Sequence, residues 1–331
     1  MKIKMSSIMQ TTSELTHEDR RVWLKARLGI DRMGHHVEPG LYSLGKPDRD
    51  SPVFVTANYR LSFNALRSQL GDLGCYILVL NTEGINVWCA AGKGTFGTEE
   101  LVRRIESTNL KDIVNHRTLV VPQLGAPGVA APEVRKRTGF KVEWGPIRAS
   151  HIPEYMRTRK ATDEMRRVRF DLRDRMEVIP VEIKNIFVPL AVALVVLFLL
   201  GMRGTAFMIL TIVMAGIVLF PILLPFLPTH EFASKGFILG VVASIPFMGR
   251  AYFASMNEAP WVVLASTLVS ALIISPWVAF LALNFTGSTT FTSRTGVRRE
   301  IFRYIPMMAA TFILGIGLEV GFAVAKWYGV I

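Results

Sequence analysis

Cysteine is nearly absent from this chain: 331 residues hold two, Cys75 and Cys89. Two thiols exclude a disulfide-dense scaffold. They also exclude a four-cysteine zinc knot or an iron–sulfur cluster bound by this chain alone. Any iron–sulfur redox step therefore belongs to a partner. Charge is scarce in the second half: residues 184–331 carry 9 Lys/Arg and 4 Asp/Glu, against 29 and 22 in residues 1–183. No G-x-G-x-x-G or G-x-x-x-x-G-K-[ST] follows the first expected strand, so dinucleotide and P-loop readings lack their motif. His17, His35, His36, His116, His151 and His230 form no zinc-protease or EF-hand spacing. No internal repeat of roughly 20–50 residues is evident. The start, MKIKMSSIMQTTSELTHEDRR, has no apolar run and reads as no signal peptide.

Apolar sequence is plentiful. Hydrophobic residues make up 50% of the chain, and the mean hydropathy is +0.35. Runs over 186–202, 205–227, 236–256, 260–283 and 305–325 each approach the ~20 residues a helix needs to cross ~30 Å of hydrocarbon. None shows the polar face that a soluble bundle requires. An all-α domain of five transmembrane helices is expected over 185–331. Nine Lys/Arg lie from Arg157 to Lys184, and Arg294, Arg298, Arg299 and Arg303 precede the fifth run. Five crossings put both segments on one side, which the positive-inside rule makes the cytoplasm. The expected location is thus the inner (cytoplasmic) membrane, multi-pass, with the first half in the cytoplasm. Arg250 and Glu319, inside apolar runs, are candidates for an ion pair.

The net charge of +12 suggests nucleic acid until its distribution is considered. Met165, Val168, Leu172, Met176 and Ile179 recur at helical spacing among arginines. That pattern predicts a basic amphipathic linker, 157–184, lying on the anionic leaflet. No nucleic-acid partner is expected.

Residues 51–156 alternate strand and helix signals. Strands are expected at 52–59, 75–82, 117–125 and 141–145, and helices at 62–70, 98–108 and near 129–136, with Ser62 and Thr98 as caps. Alternation of this kind predicts a Rossmann-like α/β domain built on a parallel sheet. Residues 1–50 are expected to pack on it. Ligands bind such sheets beyond the carboxyl ends of the strands, which brings Asn58, Thr82, Gln123, Gly125 and Gly128 into question.

The connection after the second strand reads NTEGINVWCAAGKG (81–94). Asn86 is suited to cap a short helix that Gly92 ends, which puts Val87, Trp88 and Cys89 in its first turn. Amide donors at a helix start favour a thiolate over a thiol. From these residues alone, Cys89 is either a nucleophile or metal ligand, or a small apolar residue beneath Trp88. Cys75 opens a buried strand and reads as inert packing.

NVWCAAGKG (86–94) resembles the cap-helix motif of the HgcA family of mercury-methylating corrinoid proteins. RMGHHVEPGLYSLGKP (32–47), DSPVFVTANYRLSFNALR (50–67), PQLGAPGVAAPEV (122–134) and NFTGSTTF (284–291) extend the resemblance over most of the chain. The first half is also similar to the corrinoid domain of the corrinoid iron–sulfur protein large subunit, without its cluster cysteines. The resemblance implies a corrinoid-binding domain followed by a membrane domain. It implies a cobalamin-type corrinoid, held base-off, with the Cys89 thiolate as lower axial ligand to cobalt. The absence of Asp-x-His-x-x-Gly agrees with this. Asn86, Val87, Trp88, Ala90, Ala91, Gly92 and Lys93 would then contact the corrinoid from below, joined by Asn58, Thr82, Gln123, Gly125 and Gly128.

The implied activity is a corrinoid-dependent methyltransferase that converts inorganic Hg(II) to methylmercury. The implied partners are an HgcB-like ferredoxin with two four-iron, four-sulfur clusters and a methyltransferase that acts as methyl donor. Two alternatives stand beside it. One is a membrane-anchored corrinoid methyl carrier in one-carbon and acetyl-CoA metabolism; the other is a transporter with a regulatory soluble domain.

Overall fold

The computed structural model describes residues 8–31, 34–71, 73–289 and 293–329. The first residues of the chain, the start of the 32–47 run and the end of the 284–291 run lie outside them. The chain divides into two compact units, Met1–Arg169 and Phe170–Ile331.

The first unit is built on six strands: β1 (Met9–Thr11), β2 (Gly40–Leu44), β3 (Val53–Ala57), β4 (Cys75–Leu80), β5 (Thr118–Pro122) and β6 (Lys141–Gly145). Their order is β1-β2-β4-β3-β5-β6. From β4 to β6 all pairings are parallel. β2 joins β4 antiparallel, and β1 joins β2 parallel. Met9–Thr11 and Gly40–Leu44, within the 1–50 segment expected to pack on the sheet, thus extend it by two strands. GLYSL (40–44) is too short and too closely bounded by Gly and Pro to read as a strand without β4 beside it.

Alternation along the strands separates two cores. Phe54, Ile77 and Val79 face one side, with Phe63 and Leu66 of α2 (Arg60–Arg67). Val55, Leu78 and Leu80 face the other, with Leu101, Val102 and Ile105 of α4 (Thr98–Ser107). β3 connects to its neighbour β4 through α2, whereas β4 connects to β5 on the far side of β3. This reversal between β3 and β5 is a topological switch point, where α/β sheets open a crevice.

Two expected caps moved by one to three residues. α2 begins at Arg60 with Tyr59 as its cap, and Gly97 caps α4, leaving Thr98 Oγ1 to accept from the Ala130 N–H. The amphipathic helix expected through 165–179 is broken. Asp163–Arg166 is a short helix by itself, Leu172–Met176 leads through a brief turn into Ile179–Leu199, and Met165 is buried in the first unit's core. Met165 packs there beside Ile152 and Tyr155.

The second unit contains five helices long and apolar enough to cross a membrane: Leu172–Leu199, Arg203–Leu223, Phe232–Ser255, Pro260–Ser288 and Thr295–Trp327. The third and fourth approach closely, because a Cβ on Gly236 or Gly240 would lie 2.5 Å from the Ala279 or Ser275 Cα. Small residues permit such contact where burial of apolar surface offers no gain. Arg250 and Glu319 are both exposed, and among the described residues no ion pair joins them. The buried carboxylate here is Glu300, which accepts from the Ala233 N–H at 3.1 Å. Glu231 accepts from the Tyr304 hydroxyl.

Candidate functional site

α3 (Val87–Lys93) lies at the carboxyl edge of the sheet, next to the switch point. Asn86 caps it: the side-chain oxygen accepts from the Cys89 N–H at 2.9 Å. The helix ends two residues later than expected. Gly94, at φ 89°, is the left-handed terminus, and Gly92 lies inside the helix. A left-handed C-cap suits glycine because it has no Cβ to clash.

The helix has two unlike faces. Val87, Ala90 and Ala91 are buried in the core with Phe96 and Leu101. They support the helix from the sheet side. Trp88 and Cys89 are half-buried, and Gly92 and Lys93 are exposed. Nothing lies within 4 Å of a Cβ placed on Gly92. Cys89, Gly92 and Lys93, at helical i, i+3, i+4 spacing, form an open strip along the outer face.

The loop that carries α3 is clamped from two sides. Asn58, just past β3 and 3% exposed, accepts through Oδ1 from the Thr82 N–H (3.0 Å), the Thr82 hydroxyl (2.9 Å) and the Gly84 N–H (3.1 Å). The Thr82 hydroxyl also lies 2.7 Å from the Ile85 carbonyl oxygen. From α4, Glu100 accepts from the Asn81 N–H at 2.7 Å and from Arg104 at 2.8 Å. Burial raises the Glu100 carboxyl, but the bonds from Arg104, Asn81 and Arg103 outweigh it and hold the group below its ordinary range. Asn58 and Thr82 are thus occupied in fixing the loop. Glu100 was legible only as an acid in the first turn of α4, because its partner Asn81 comes from a separate segment.

The remaining residues divide similarly. Gln123 accepts from Arg166 at 3.1 Å. Gly125 and Gly128 are shaped by Phe96. A Cβ on Gly125 would lie 2.4 Å from the Phe96 ring, and one on Gly128 would lie 2.1 Å from its carbonyl oxygen and 3.1 Å from the Ala91 Cα. Gly92-Lys93-Gly94-Thr95-Phe96-Gly97 has formal G-x-G-x-x-G spacing and leads into α4, but α3 precedes it where a dinucleotide site has a strand. Burial pushes the Cys75 thiol up to about 12, in keeping with inert packing.

A cavity of about 200 Å³ opens beside the start of α3, lined by Thr56, Pro122, Leu124 and Gly145 at the strand ends and by Asn86 and Trp88. Fold and site together define a doubly wound α/β unit. Its half-buried thiol sits on a capped helix at the switch point, and a unit of five membrane-length apolar helices follows.

Residues 24–156 match the family described as CO dehydrogenase/acetyl-CoA synthase delta subunit. The acetyl-CoA decarbonylase/synthase complex subunit gamma of Methanopyrus kandleri is 37% identical over 127 residues, covering 38% of this chain and 27% of that protein. Its counterpart in Archaeoglobus fulgidus is 38% identical over 122 residues, covering 36% and 26%. The chain thus spans about a quarter of the length of the curated relatives it matches. The family match stops before the five apolar helices.

Proposed function

We propose that the α/β unit binds a corrinoid over the outer face of α3 and carries a methyl group on it. The segment 24–156 is similar to a corrinoid-binding family of methyl carriers, which supports that much. The finer reading is that the Cys89 thiolate is the lower axial ligand of a base-off corrinoid and that the methyl acceptor is inorganic Hg(II), giving methylmercury. The observation that supports the ligand assignment is the position of Cys89, half-buried on the capped outer face of α3 beside the open strip at Gly92, while the acceptor rests on the resemblance of residues 86–94.

The residues suit such a group. A thiolate is a soft, strongly donating ligand, and Gly92 leaves room for a flat ring to approach the helix backbone. When bound, a corrinoid supplies a cobalt that takes up and releases a methyl group. The chain's own part is to hold the donor still. Asn86 fixes the turn that presents the sulfur, and Asn58 and Glu100 fix the loop before it. Were Cys89 to hold the metal, it would be kept deprotonated and would supply a soft, strongly donating sulfur. Lys93, exposed on the same face, is placed to meet an amide or phosphate at the periphery. Reducing equivalents come from an HgcB-like ferredoxin with two four-iron, four-sulfur clusters, and methyl groups from a separate methyltransferase. The second unit lies in the cytoplasmic membrane, multi-pass, with the α/β unit on the cytoplasmic side.

The test is purification of the full chain with its chromophore, followed by single-turnover methyl transfer to Hg(II), to a thiol and to a nickel acceptor. The expected result is a cobalamin-type visible spectrum that changes in Cys89→Ala, together with loss of methylmercury. Unchanged methylmercury formation in that variant overturns the ligand assignment. The relatives favour a second acceptor: transfer to nickel but not mercury would make the chain a membrane-anchored methyl carrier of one-carbon metabolism. A colourless protein would favour the transporter reading.

A further inference from the structure

α1 (His17–Arg27) turns Asp19, Val22 and Ala26 inward and, among the described residues, leaves its opposite face exposed. Leu24 on that face is 52% exposed, and Trp23 beside it 47%. Leu28 and Ile30, immediately after the helix, are also exposed. At 100° per residue, Leu24 and Leu28 form a ridge with Arg20 and then Trp23 along one side and Arg21 and Lys25 along the other. The Arg27 guanidinium lies 5.5 Å from the Trp23 ring centroid. Both acids of the helix are paired, Glu18 with Arg60 at 3.0 Å and Asp19 with Arg67 at 2.6 Å. The face is therefore apolar along its crest and cationic along both flanks.

We propose that this face docks on an anionic lipid surface, with Trp23, Leu24 and Leu28 entering the headgroup boundary and the flanking cations on lipid phosphates. An indole and leucines set among Arg and Lys form the pattern of an interfacial helix. Basic side chains of this density are drawn to anionic headgroups. The occupant is a bilayer because the same chain continues into five helices of membrane-crossing length and hydropathy. Chain continuity keeps the first unit within reach of a leaflet, which raises the effective concentration of lipid at α1. The inference is independent of what the outer face of α3 binds.

The test uses the full chain reconstituted in brominated phosphatidylcholine vesicles with and without phosphatidylglycerol. The fluorescence of Trp23 is taken as the difference between the wild type and Trp23→Phe, which removes the other five tryptophans. Expected is a blue-shifted, bromine-quenched difference signal that strengthens with phosphatidylglycerol and weakens with salt. Trypsin cleavage at Arg20, Arg21 and Lys25 should slow several-fold in the same vesicles. Leu24→Asp with Leu28→Asp, both exposed sites, should abolish both effects. A water-like, unquenched signal with equal cleavage in anionic vesicles and detergent overturns the proposal. Protection that appears only in native membranes and never with lipid alone assigns the face to a protein partner and overturns it as well.

Discussion

The Asn86 side-chain oxygen lies 2.9 Å from the Cys89 backbone nitrogen, so the residue that starts α3 also fixes the turn that presents the thiol. Replacing Asn86 by Ala should remove about 1 kcal/mol from the local stability of α3. Hydrogen exchange at the Cys89 amide should quicken about five-fold. Asn86→Asp keeps an acceptor and should leave exchange nearly unchanged.

Asn58 accepts three hydrogen bonds into a buried loop. Asn58→Ala strands those donors at about 1–3 kcal/mol for each left without a partner. A fall in thermal midpoint of the first unit, with a change in Trp88 fluorescence, is the expected outcome. Thr82→Val removes the hydroxyl alone and should cost less. Equal effects from the two would show that Asn58 is not the principal clamp.

Two glycines on either side of α3 should respond in opposite ways. Gly128→Ala drives a Cβ to within 2.1 Å of the Phe96 carbonyl oxygen, so the loop must move and the protein should melt at a lower temperature. Gly92→Ala meets nothing within 4 Å and should stabilise the helix by about 0.5–1 kcal/mol. Should a corrinoid lie over that strip, the same substitution would weaken cofactor retention while the apoprotein gains stability. Comparing apo- and holoprotein melting curves separates the two effects.

Acid should loosen the first unit in a defined direction. Burial raises the Asp19 carboxyl, but hydrogen bonds from Thr16 and Asn64 and the charge of Arg67 outweigh it and hold the group well below the usual carboxylate range. Glu100 is also held low. A depressed folded value means stability that is fully present above the unfolded values of about 3.9 and 4.3. It is lost as pH falls through the folded values. Chemical denaturation between neutral pH and about pH 3 should show this decline, and Asp19→Asn and Glu100→Gln should each flatten it. Asp19→Ala, which strands buried Arg67, should cost about 3–5 kcal/mol at neutral pH.

In the second unit, Glu300 accepts at the start of the third long apolar helix from the Ala233 N–H. Glu300→Ala removes that acceptor and should lower the thermal midpoint in detergent, by about 1–3 kcal/mol of stability. Arg250→Ala and Glu319→Ala, both exposed and unpaired with each other, should have little effect.

Much of the fold was readable in the chain. The strands β3, β4 and β5 announce themselves by runs rich in Val, Ile and Leu, and the five long apolar helices by a near absence of charge. Asn86 was legible as a cap because Asn before a short apolar segment has a local use. The roles of Asn58, Glu100, Gly125 and Gly128 were hidden, because each is defined by a partner from a distant segment. Strand-end position suggested ligand contact for Asn58 and Thr82, and the fold spends them on the loop. Met165 looked like one face of a long helix until the core of the first unit claimed it.

Composition and periodicity by themselves determined an α/β half, an apolar helical half and a single thiol on the loop after the second buried strand, since these follow from local preference and hydropathy. Tertiary structure decided which side of α3 faces outward and which polar residues are consumed in holding it. It also decided that residues near the start of the chain complete the sheet. Those outcomes depend on hydrogen bonds and packing between segments far apart in sequence, and no local pattern encodes them.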